Sequence, residues 1–110
     1  MIYIETKQQT HNKNLILETI EEVIGVPREL WEIKRSRSTE EVFIRDIYIY
    51  MLYTYADITF QNISRIVGLK NHASAVQSVN KIKKWLDNPT EYTIKLKLIN
   101  EIFKRYEDAR

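Results

Sequence analysis

Apolar positions recur at helical spacing in a series of stretches along this chain, with polar punctuation between them. In "LILETIEEVIG", Leu15 or Ile16, Thr19, Ile20, Val23 and Ile24 share one stripe, and Gly25 stops it as a left-handed cap would. "VPRELWEI" follows, where Pro27 suits the first position of a short helix and Leu30, Trp31 and Ile33 supply apolar contacts. The capping-box sequence "STEE" at Ser38 opens a long helix from Thr39 to Tyr55, whose buried spacing holds Phe43, Ile44, Ile47, Met51 and Tyr55. Thr59 caps a shorter helix, "FQNISRIV", which Gly68 ends. Asn71 opens the next one, with Ala75 or Val76, Val79, Ile82 and Leu86 inward. In "DNPTE", Asn88 is placed to cap a last helix, with Pro89 at its first position and Glu91 closing the box. Its core face is Leu98 or Ile99, Ile102, Phe103 and Tyr106.

These elements make an all-α fold of about five to six helices. Residues 1–11 are polar after "MIYI" and read as a mobile N-terminal arm; residues 12–110 form one domain, as expected at this length. The tyrosines at 48, 50, 53 and 55 cover too much of a helix circumference for one exposed platform, so they are expected to pack between helices.

Composition removes several function classes. The chain has only two glycines, and neither Gly25 nor Gly68 is followed by another five residues later, so no P-loop or Rossmann fingerprint exists and no nucleotide is expected. There is no cysteine, and His11 and His72 are far apart, so neither a metal nor a cofactor is expected. No nucleophile–base pair or pair of carboxylates stands out, so no enzyme is expected. No apolar run reaches the roughly 18–20 residues of a membrane span. "MIYIETKQQT" lacks the pattern of a signal peptide, and a cytoplasmic protein is expected. The net charge of +2 says little; the clusters Lys34, Arg35, Arg37 and Lys81, Lys83, Lys84 say more.

The short helix, Gly turn and longer helix from Thr59 to Leu86 have the make-up of a helix-turn-helix, or of an ordinary helical corner. The stretch Arg45 to Ile82 resembles the C-terminal DNA-binding domain of the bacterial replication initiator DnaA. That family's pattern runs Arg-Gln, an apolar helix, Ile-Gly, Gly-Gly-Arg-Asp-His-Thr-Thr-Val and Lys-Ile. Here Arg45-Asp46, Ile63-Ser64, "GLKNHASA" from Gly68 to Ala75, and Lys81-Ile82 take those places without a gap. Ser36-Arg37 falls on the family's basic-loop Ser-Arg, and Leu17 to Trp31 resembles the linker-helix region before it. The chain departs at Lys70 for Arg, Asn71 for Asp, Ala73-Ser74 for Thr-Thr and Leu69 for Gly.

The resemblance implies a Trp-repressor-like helix-turn-helix, without the family's ATPase domain, that binds double-stranded DNA in the manner of replication-origin recognition. The helix start enters the major groove, where its free N–H groups and partial positive charge meet phosphates and base edges. Lys70 is then a donor to guanine O6 or N7, or to a phosphate, or simply a solvated lysine. Asn71 either caps the helix or pairs with adenine N6 and N7. His72 donates to a base or a phosphate, Ala73 offers a methyl to a thymine C5-methyl, and Ser74 bonds a phosphate. Arg37, with Arg35, enters the adjacent minor groove or serves as a solvated loop. Arg45 clamps the backbone or pairs with Glu40 or Glu41, and Lys81, with Lys83 and Lys84, adds basic character farther along the helix or belongs to a solvated face. The alternative is a protein–protein adaptor or regulator of a replication initiator or mobile-element protein, on the same fold but without specific DNA binding.

Overall fold

The computed structural model describes residues 4–34 and 38–110, and all regular structure among them is helical. Five α-helices follow in order: α1 Lys7–Ile24, α2 Thr39–Thr54, α3 Phe60–Val67, α4 His72–Asp87 and α5 Thr93–Ala109. A 3-10 turn, Arg28–Leu30, follows α1.

α1 begins at Lys7, inside the stretch 1–11 that reads as an arm. Thr6 accepts from the Gln9 backbone and Gln9 reaches back to the Thr6 N–H, a complete capping box that lies within the stretch expected to be an arm. Glu5 reinforces this start by accepting from Lys13 and Thr10. The helix ends at Gly25, whose φ of 78° only glycine adopts without cost. Trp31 is fully buried; its indole N–H donates to the Val26 carbonyl at 2.9 Å and its ring meets Tyr48 edge-on. Leu30 and Ile33, expected to supply apolar contacts with it, are on the surface, and Pro27 precedes the 3-10 turn instead of starting it.

α2 is the centre of the fold and packs against α1, α3 and α4. It is therefore buried on more than one face: Ile44, Ile47, Tyr48, Ile49, Met51 and Leu52 are all inside, a wider set than one stripe. Ser38 stands at its N-cap but makes no side-chain cap bond, so the capping box expected from "STEE" is not formed. α5 lies along α1 and buries Leu96, Ile99, Ile102 and Tyr106. Asn88 does not open α5. Its amide donates to the Lys84 carbonyl at 2.7 Å and closes α4, and α5 starts after Tyr92 with no side-chain cap. Of the tyrosines expected to pack between helices, Tyr48 is buried, Tyr50 stacks on Phe103 and Tyr55 leans on Tyr106, whereas Tyr53 stacks on Phe60 but stays exposed.

Candidate nucleic-acid interface

The segment from Thr59 to Asp87 is two helices joined by a four-residue turn, Gly68 to Asn71. Thr59 caps α3 through the Asn62 N–H. At the other end, the Gly68 and Leu69 N–H groups both donate to the Ser64 carbonyl, at 2.9 and 2.8 Å, with Gly68 at φ 81°. The buried Ser64 hydroxyl lies 2.9 Å from the Phe60 carbonyl and 3.2 Å from the Asn71 carbonyl, tying the far side of the turn back to α3. A Cβ on Gly68 would come within 3.4 Å of Ile33 Cγ2, so the chain leading into the basic loop passes directly over the turn.

Asn71 is the N-cap of α4. Its backbone is extended, at φ −151°, and its Oδ1 accepts from the Ala73 N–H at 3.0 Å. The cap occupies Oδ1 and leaves Nδ2 as the group with hydrogens to donate. Lys70, Asn71, His72 and Ala73 are exposed and Ser74 is half-buried, while Ala75 behind them is in the core. No acidic residue lies in the first turn of α4, so the positive end of the helix is not offset there.

The basic loop is attached to this turn. The Lys34 N–H donates to the Val67 carbonyl at 2.8 Å, bonding the start of the loop to the last residue of α3. Arg35 and Arg37 themselves lie outside the described residues.

No family model matches the chain, and no solved structure matches it significantly. Among curated proteins, it is 31% identical over 114 residues to the chromosomal replication initiator protein DnaA of Borrelia hermsii (strain HS1 / DAH), a match covering 96% of this chain. DnaA of Borrelia turicatae (strain 91E135) is 29% identical over 113 residues, covering 94% of the chain. This chain is similar to DnaA. The similarity runs along nearly its whole length but spans only 22% of each initiator.

Two positions that the DnaA pattern marks as basic contacts are held internally. Arg45 is only 5% exposed, and its Nε donates to the Trp31 carbonyl at 3.1 Å. It is not a surface clamp, because α2 is the central helix and position 45 faces the chain at Trp31. Burial pulls its guanidinium below the ordinary arginine range, against the opposing pull of Asp46 and Glu41. Lys81 is half-exposed, but its Nζ sits 3.2 Å from Asp46 Oδ2 and lies over the Trp85 ring. Asp46 was not singled out in the sequence. It stands where DnaA has Gln, and that replacement was the available signal.

Among the described residues, no group of His, Cys, Asp or Glu is arranged to hold a metal, and no helix is long and apolar enough to cross a membrane.

Proposed function

We propose that this chain binds double-stranded DNA sequence-specifically and without catalysis, in a role related to replication-origin recognition. The first turn of α4 enters the major groove as the reading element of a helix-turn-helix, and the loop carrying Arg35 and Arg37 enters the neighbouring minor groove. The observation that supports this best is the exposed, cationic start of α4, with the beginning of the basic loop bonded beside it through Lys34 and Val67. The similarity to DnaA supports the same reading.

Within it, Lys70 donates to a guanine edge or a phosphate as a point charge, without the fork of an arginine. Asn71 has its Oδ1 engaged in the cap, so it contributes a single Nδ2 donor in place of the two-point contact to adenine. His72 donates to a base or phosphate, Ala73 packs on a thymine methyl, and Ser74 bonds a phosphate. With no hydroxyl at position 73, the preferred site differs from that of DnaA.

Selection from random duplexes at low salt tests this. An enriched motif is expected, with log affinity falling linearly as log salt rises, because phosphate contacts release counterions. No enrichment, together with no duplex bound above background, refutes it. The internal engagement of Arg45 and Lys81 favours a second reading, an adaptor to a replication initiator or mobile-element protein. A partner of that kind, retained after replacement of Lys70, His72 and Arg37, would support it.

A further inference from the structure

Asp46 is 6% exposed on α2, directly beside Arg45 in the sequence. The ammonium of Lys81 reaches it from α4 at 3.2 Å, an ion-pair distance that is off the hydrogen-bonding angle, so Oδ2 has no directional donor. Arg45 Nη2 is likewise buried without a partner. These three charged side chains line an open cleft of about 350 Å³ together with Lys34, Ser74 and Ser78. Ser74, Ser78 and Lys81 follow one another at the spacing of a single helix face, so this cleft continues the tip of α4 along its length. The cleft holds three cations and one carboxylate, and the carboxylate is where an external anion would otherwise meet Lys81.

We propose that Asp46 is an internal stand-in for a backbone phosphate: it holds Lys81 and sets the DNA affinity of this face below what its cations would otherwise give. This rests on the DNA-binding reading. A phosphate approaching the cleft meets a like charge that is already paired, so the contact to Lys81 forms only at the expense of the existing one. Neutralising Asp46 frees Lys81 without altering the α4 tip.

The test is fluorescence anisotropy with a labelled mixed-sequence duplex of about 20 base pairs, across roughly 50–200 mM salt. Asp46→Asn is expected to bind about five- to tenfold tighter near 0.1 M salt, as a screened like charge is removed. The slope of log affinity on log salt should steepen by about 0.9, the value for one added phosphate contact. Lys81→Gln should leave the slope of the unaltered chain unchanged but abolish the gain in the Asp46→Asn background. Equal or weaker binding by a folded Asp46→Asn, judged by unchanged circular dichroism, overturns the proposal. If Asp46→Asn does not fold, the half-exposed Lys81 decides the matter in the otherwise unaltered chain. A slope reduced by about 0.9 in Lys81→Gln means that Lys81 already grips a phosphate and the proposal is wrong; an unchanged slope supports it. If neither the unaltered chain nor Asp46→Asn binds duplex, the DNA-binding reading fails as well. If the unaltered chain binds and the variant shows no gain, only this proposal fails.

Discussion

Replacing Asn71 by Ala and by Asp separates helix capping from the DNA contact proposed for the same position. The cap is one hydrogen bond, Asn71 Oδ1 to the Ala73 N–H at 3.0 Å, on an exposed helix start. Removing it leaves an amide that water can reach, so the cost is that of an ordinary cap, about 1 kcal/mol. At about 2.1 cal/mol/K per residue, a chain of 110 residues has an unfolding entropy near 0.23 kcal/mol/K, and the midpoint should fall by about 4 °C. Asn71→Asp keeps the acceptor and places a full negative charge at the positive end of α4, worth about 0.3–1 kcal/mol, so its midpoint should match or exceed that of the unaltered chain. On DNA the order changes. Asp cannot donate, so its preferred base should shift toward one that donates in the major groove, such as cytosine through N4. Thermal unfolding followed by circular dichroism, with duplex selection on all three proteins, checks both halves. An Asn71→Ala protein as stable as the unaltered chain, beside an Asn71→Asp protein several degrees less stable, would refute the capping argument.

Three further outcomes are expected. His72→Ala should cost about 1–3 kcal/mol of specific duplex affinity, whereas Arg37→Ala should lower affinity with little change in preference at major-groove positions; a flat response to both in a binding titration would mean the DnaA register is misplaced. Gly68→Ala should destabilise by about 1–2 kcal/mol in urea unfolding, since φ is 81° there and the added methyl meets Ile33 only at contact distance; a neutral result would mean the turn relaxes freely. Glu21 accepts from the Arg28 side chain and backbone N–H, and these bonds hold its carboxyl below the ordinary value of 4.5. A depressed carboxyl stabilises the fold above its unfolded value and loses that contribution as pH falls through the folded one, so the deficit of Glu21→Gln should be present at pH 7 and vanish in acid. A deficit that persists at about pH 2 would contradict this.

What was legible in the sequence, and what was not, follows from how local each signal is. Gly25, Gly68, Thr59 and Asn71 act on their own helix ends, and each ends or caps the helix that the pattern assigns to it. Thr6 and Gln9 carry the same kind of local signal as a capping box, but no apolar stripe follows at once to mark a helix there. Asn88 was misassigned because an Asn side chain can satisfy either a preceding carbonyl or a following N–H, and the choice depends on where the chain turns. Arg45 shows a deeper limit. Periodicity assigns one buried face, but α2 is covered on several sides, so a charged residue within it is buried as well. His72 could be placed on the outer side of the helix start from the spacing of Val76, Val79 and Leu86. The bond from Lys34 to Val67 joins distant parts of the chain and leaves no local mark, and of the pair of Asp46 with Lys81 only the Asp in place of Gln is visible in the sequence.

The contacts that place the α4 tip are separate from the charged side chains beside it. The turn is fixed by the Ser64 carbonyl and hydroxyl, by the positive φ of Gly68 and by the Asn71 cap, and none of these involves a charged side chain. A tip held in this way needs little ordering when it docks, which lowers the entropic cost of binding. The cations beside it are treated differently: Arg45 is turned toward Trp31 and Lys81 toward Asp46. In the DNA-binding reading this division has a consequence. A phosphate contact tightens specific and non-specific complexes alike, whereas base contacts tighten only the specific one. Holding Lys81 on Asp46 therefore lowers both affinities by the same factor and leaves their ratio to Lys70, Asn71, His72 and Ala73. Asp46→Asn should then raise affinity for a selected site and for a scrambled duplex equally, and a gain confined to the selected site would place Lys81 at a base edge instead of a phosphate.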